Sequence, residues 1–237
     1  PTVKIINLSI GDNSRPFIQM MSPLARLIDW LSFHYNVLFI VSAGNRFEAI
    51  NTGLQDTVFN ELSAIERETT VIYALFTDTR NRKIISPAES INALTIGSLH
   101  FDNALISPQD RRINPFANTL PSPYSSFGSG HQRAIKPDLV YPGGRQLYEA
   151  VLHRGELSLE CSFLAGAPGI KIASPGRLAG DLNKTTFTCG TSNSAAAISH
   201  TAAICYDLLI EIFEEQEIEV DYQPYIVPLL KAMLVHG

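Results

Sequence analysis

The amino-acid sequence predicts an α/β fold in which a mostly parallel sheet is covered by helices on both faces. Three observations carry that expectation. The first forty residues run through a β-branched apolar segment, an amphipathic stretch and a second apolar segment, the order of a strand–helix–strand crossover. The second apolar segment, residues 37–41, shows no polar alternation, as in a parallel strand buried on both faces. Near the other end, a β-branched run over residues 185–189 turns at Gly190 into a long uninterrupted helical stretch.

The elements follow in order. Residues 3–10 read as a buried strand that stops at the turn Gly11-Asp12-Asn13. Ser22 is a helix N-cap and Pro23 a first-turn proline. Leu24, Leu27, Ile28 and Leu31 recur at helical spacing, so a helix runs to about Tyr35 and breaks at Asn36. The strand over 37–41 ends in Ser42-Ala43-Gly44-Asn45. Residues 54–79 are ambiguous: Leu62, Ile65 and Glu66 suit a helix, residues 69–76 suit a strand, and helix is preferred. Residues 92–99 form another apolar strand. Residues 100–134, rich in Pro, Ser, Asn and Gly, read as surface loop with a short hairpin. Residues 135–141 and 169–173 are short strands, and 145–168 a hairpin or insertion. A helix from Asn193 to about Glu215 and a last helix over 224–235 close the chain. With no repeat and no linker, residues 1–237 read as one domain.

Composition narrows the function classes. Of the 237 residues, 45% are hydrophobic and 17% charged, the profile of a core-rich globular chain. The net charge is -5 without a basic block, which argues against nucleic acid as a partner. No run of about 18 apolar residues is found, so no membrane-crossing helix and no membrane partner is expected. The three cysteines, Cys161, Cys189 and Cys205, fit neither a disulfide framework nor a CxxC pattern and read as buried thiols. They lean towards a reducing compartment without excluding secretion. The chain opens within a strand-like run, so it reads as truncated at its N-terminus, cut from a longer protein.

Two segments have the residue types for chemistry. In Cys189-Gly190-Thr191-Ser192, a strand ends, a glycine permits a sharp turn, and a serine sits at the mouth of a long helix. The unpaired N–H groups and dipole of a helix start favour negative charge there. Such a serine could attack a carbonyl and hold the resulting oxyanion near its own N–H, or simply cap the helix. In Val41-Ser42-Ala43-Gly44-Asn45, small residues at a strand's C-terminal end lead to an amide. Ligands of open α/β sheets gather at that edge. Asn45 is either a hydrogen-bond donor to such a ligand or a turn asparagine.

These segments, with Asn7-Leu8-Ser9-Ile10-Gly11, occur in the order and rough spacing of the subtilisin-like serine peptidases, which the sequence resembles. Supporting matches are Pro87-Ala88, Ala93-Leu94-Thr95-Ile96-Gly97-Ser98, Tyr124-Ser125-Ser126-Phe127-Gly128, Lys136-Pro137-Asp138-Leu139, Pro142-Gly143-Gly144 and Leu229-Leu230-Lys231-Ala232. The resemblance implies a three-layer fold and a serine endopeptidase. Ser192 would be the acyl-forming nucleophile, with Asn45 and the Ser192 N–H as oxyanion hole. Ser9, Ile10 and Gly11 would pair with an extended peptide or protein substrate. Ala43 and Gly44 would line the pocket for the side chain before the scissile bond, and Thr191 would also contact substrate. No cofactor is required. Relatives often bind calcium, but no acidic cluster at calcium-ligand spacing marks a site.

The sequence departs from the family at two places. The triad order is Asp, His, Ser, and neither of the first two is found in its expected context. They are expected in an upstream part of the same protein, leaving this stretch alone inactive; the alternative is a peptide-binding module without catalysis. His200 lies two turns beyond Ser192 and reads as a packed helix residue. Lys136 is explained by the Lys-Pro-Asp match rather than as a base. After the serine, Asn193, Ser194, Ala196 and Ala197 replace the usual Met, Ala, Pro and His. Asn193 is expected to alter polarity beside the nucleophile.

Overall fold

Four parallel strands, Ile5–Leu8, Leu38–Ser42, Leu94–Leu99 and Leu139–Pro142, lie side by side in that order. They form the central sheet of a computed structural model that describes residues 3–107, 109–164, 166–176, 180–216 and 221–236. Every residue of Leu38–Ser42 is buried, as its unbroken apolar sequence requires. Its side chains alternate between two cores. Phe39 and Val41 join Ile28 and Phe17 on the face covered by helix Pro23–Tyr35. Leu38 and Ile40 face the other way, against Ala195, Ile198 and Ala202 of helix Thr191–Glu215, with Ile226 and Leu230 of helix Ile226–His236 beyond. The result is three layers, helix, sheet and helices, as the sequence predicts.

Helix Pro23–Tyr35 starts where Ser22 Oγ accepts the Ala25 N–H (3.1 Å) and ends where Asn36 turns left-handed at φ 51°. Residues 54–79 form two helices, Asp56–Glu61 and Ala64–Thr77, and no strand. The second opens with a capping box: the Glu66 carboxylate accepts the Ser63 N–H (2.8 Å), and Ser63 Oγ accepts the Glu66 N–H (3.4 Å). The hairpin Tyr148–His153/Glu156–Cys161 adds Ile50–Asn51 to make a separate antiparallel sheet. Under it lies a further core containing Phe59, Val71, Phe116 and Leu159.

Several expectations are corrected. The first strand is only half-buried, because among the described residues it pairs on one side alone. Residues 100–134 are not merely surface loop: Phe116, Tyr124 and Ser126 are buried. Pro137, which has no N–H to donate, interrupts the run 135–141 and leaves Ile135–Lys136 and Leu139–Pro142. The three cysteines are free and partly exposed rather than fully buried. Helix Thr191–Glu215 is, by length and composition alone, apolar enough to cross a membrane, because its Ser, Thr and His count little against so many Ala, Ile and Leu. It lies across the sheet, with Ala195, Ile198, Ala202 and Leu209 in the core.

Candidate active site

Parallel strands aim their C-terminal ends the same way, and the first turn of helix Thr191–Glu215 sits against two of those ends. One attachment runs through Asn45, just beyond strand Leu38–Ser42. Its side-chain oxygen accepts the Thr191 N–H (2.9 Å) and the Thr191 hydroxyl (3.0 Å), and the Gly44 N–H donates to Thr191 Oγ1 (3.3 Å). The other runs through the segment after Leu139–Pro142. Gly143 O accepts the Gly190 N–H (3.0 Å) and Asn193 Nδ2 (3.1 Å), while Ser194 Oγ donates to Tyr141 O (2.8 Å). Glycine is needed where the chain crowds: Gly44 has φ +107°, and a Cβ on Gly190 would lie 3.2 Å from Asn45 Nδ2.

This bracing orients the amide. A backbone N–H only donates, so the Asn45 atom facing Thr191 must be Oδ1 and Nδ2 must face the opposite way. Nδ2 passes beside Gly190 and has no acceptor among the described residues. Ser192 follows directly. It is half-buried, its hydroxyl makes no hydrogen bond among the described residues, and its N–H, in the first turn of a 25-residue helix, has no acceptor there either. An amide donor beside Gly190, and the N–H and hydroxyl of Ser192 two residues further on, thus lie at one helix mouth without a partner among the described residues. They could stabilise negative charge on an oxygen attached to a carbon that Ser192 has attacked.

The sequence-predicted residues fall as follows. Asn45 and Ser192, 147 positions apart in the numbering, meet through Thr191. Thr191 itself is fully buried, and its hydroxyl is engaged by Asn45 and Gly44. Ala43 is buried, its N–H bonded to Ile96 O (2.9 Å) and its carbonyl accepting the Ile85 N–H (3.2 Å). Ser9, Ile10 and Gly11 continue from the half-buried strand Ile5–Leu8; Ile10 is exposed, and Ser9 Oγ donates to Asn7 Oδ1 (2.8 Å). Asn193, expected to alter polarity beside the nucleophile, spends its amide N–H groups on Gly143 O (3.1 Å) and Thr188 O (3.4 Å).

Nearby titratable groups are accounted for by structure. Cys189 donates to Gln146 Oε1 (3.1 Å), and burial pushes its thiol up to about 12, so it stays protonated. Lys136 is buried against Asp138 Oδ2 (2.7 Å) and Thr95 Oγ1 (3.1 Å). Among the described residues, no histidine, lysine or carboxylate is hydrogen-bonded to Ser192, and no group of three metal-ligating side chains occurs.

Two residues beside this edge received no role from the sequence, Ser125 being quoted only within a family match. Ser125 forms a β-bridge with Asn45, and Ile85 packs against Gly44. Ser125 lies in a stretch read as surface, and nothing distinguishes Ile85 from an ordinary core isoleucine.

A strand-end amide braced on the first residue of a helix, with an unengaged serine as the second, is the arrangement expected of a serine hydrolase on an α/β sheet. The chain belongs to the subtilase family, whose sequence profile matches residues 2–236. It is also similar to the uncharacterized protein y4bN of Sinorhizobium fredii (strain NBRC 101917 / NGR234), at 31% identity over 155 residues. The match covers 64% of this chain and 33% of that relative.

Proposed function

We propose that Ser192 is the nucleophile of a serine endopeptidase that cleaves peptide bonds through an acyl-enzyme. The observation that carries this reading is the orientation of Asn45: its oxygen is bound by Thr191, so its amide donor is turned away from Thr191 and passes beside Gly190, two residues before Ser192. A substrate strand would lie along Ser9, Ile10 and Gly11, with its scissile carbonyl at Ser192. Ser192 Oγ adds to the carbonyl carbon, and Asn45 Nδ2 and the Ser192 N–H receive the oxygen as it becomes negative. The proton from Ser192 requires a general base. The base returns that proton to the departing amine, and water, deprotonated in the same way, then releases the acyl group and restores the Ser192 hydroxyl. The resemblance assigns the base to a histidine held by an aspartate in sequence upstream of residue 1, so the 237 residues alone would be inactive or nearly so.

A fluorophosphonate probe tests this on the full natural protein. The probe should label wild type once and Ser192→Ala not at all. Labelling that survives Ser192→Ala would overturn the nucleophile. An unlabelled wild type that still binds peptides would make the site a peptide-binding module instead.

A further inference from the structure

We propose that Ile85 fills the pocket between Gly11 and Gly44 and restricts the residue before the scissile bond to a small side chain such as glycine, alanine or serine. The inference rests on the peptidase reading for where the substrate lies, and on the following geometry for what fits there.

Gly11 and Gly44 belong to the two segments that would flank that side chain, one following the edge strand and one following its neighbour. Neither glycine has a side chain of its own to fill the gap. The Ile85 side chain lies against both. A Cβ built on Gly11 would fall 2.9 Å from Ile85 Cγ1, and one built on Gly44 would fall 2.6 Å from Ile85 Cδ1. Both are closer than carbon atoms pack, so Ile85 rests directly on the two bare Cα atoms.

The plug is fixed at its base. Ile85 is 3% exposed, its N–H donates to Ala43 O (3.2 Å), and its backbone pairs with Pro16. The same strand pairing joins Asp12, next to Gly11, to Ser86. Ile85 is therefore tied to both flanking segments and cannot move away from one without pulling on the other. Its branched Cβ leaves few rotamers through which the side chain could swing aside. Ser126 Oγ, buried without a partner among the described residues, lies 3.2 Å from the same Gly44 Cβ position. Shortening Ile85 would open space next to Gly44, close to that hydroxyl.

The test uses binding, so it does not depend on turnover. Acetylated four-residue peptides of alanine, ending in Ala, Leu or Phe, are titrated calorimetrically into the full natural protein and into Ile85→Ala. Wild type should bind the Ala-ending peptide at least about tenfold more tightly than the Phe-ending one. Ile85→Ala should bring the two within about threefold of each other, chiefly by improving Phe. If Ile85→Ala does not fold, Ile85→Val should shift the Leu-ending peptide the same way by a smaller factor. A selectivity ratio unchanged by these substitutions, a wild type that takes Phe as well as Ala, or the absence of any peptide binding would each overturn the proposal. A switch in selectivity with Ser192 still unlabelled by fluorophosphonate would instead leave Ile85 as the selector and remove the peptidase reading.

Discussion

Two neighbouring parallel strands end in segments that look very different in chemical promise. Leu38–Ser42 ends in Ala43-Gly44-Asn45, with no ionisable group at all. Leu94–Leu99 ends in His100-Phe101-Asp102, carrying two of the residue types that serve a catalytic serine. The structure reverses that promise. Asp102 accepts the Arg145 N–H (2.7 Å), bonds its guanidinium (2.8 Å), and accepts the Ala104 N–H (2.9 Å). Burial raises its carboxyl, but the bonds from Arg145 outweigh that and hold it below the usual carboxylate range. His100 is 3% exposed, bonded to Asn114 (2.7 Å), and stacked edge-on against Phe116. Asn45, by contrast, has its oxygen bound and its amide donor left over. His100 Nδ1 also lacks a partner among the described residues, but it is buried, so what sets Asn45 apart from this cluster is a spare donor on a partly exposed residue rather than residue type.

The comparison can be broken most directly at its two polar ends. If Asn45 has the proposed role, Asn45→Ala in the full natural protein should slow acylation by about 10²–10³-fold, the loss typical of removing one oxyanion donor, with peptide affinity changed far less. His100→Gln should change acylation by less than about threefold. Comparable rate losses in the two variants, followed by stopped-flow labelling, would erase the distinction.

The next effects fall on stability. Arg145→Met leaves the Asp102 carboxylate, whose side chain is 1% exposed, without its cation. The loss should be about 3 kcal/mol in urea denaturation. His100 predicts a pH dependence of similar or smaller size. Burial, opposed in part by the bond to Asn114, holds its ring down at about 4 against an ordinary value of 6.5. The folded state therefore binds fewer protons than the unfolded chain between these values. The stability contributed by neutral His100 is present above pH 6.5 and lost as pH falls towards 4, by at most about 3 kcal/mol. His100→Gln should flatten that slope. The smallest effect belongs to the brace. Thr191→Val removes the acceptor of the Gly44 N–H and one of two bonds to Asn45, and should cost about 1–2 kcal/mol, read from the urea midpoint.

What was legible in the sequence was local. Ser22 with Pro23, the break at Asn36, the unbroken apolar run ending at Val41 and the turn at Gly190 each state their structure within a few residues. The Ser63–Glu66 pair states one too: a capping box favours helix over the β-formers that follow it. Distant pairing could not be read. Residues 100–126 look like a solvated loop because they are polar, yet several of them are buried in contacts with side chains far along the chain. Glu68 accepts from Ala117 and Asn118, and Asp102 meets Arg145. Each polar group looks exposed until its partner is known. The same holds at the site: Asn45 and Ser192 were legible as motifs, whereas the buried role of Thr191 and the contact of Ile85 with two glycines depend on packing between segments.

If Asn45 Nδ2 and the Ser192 N–H point at one common position, a crystal structure of the full natural protein phosphonylated at Ser192 will show it. The phosphoryl oxygen should lie about 2.7–3.1 Å from both nitrogens. An adduct whose oxygens all turn away from Asn45, with its amide bonded elsewhere, would contradict the account.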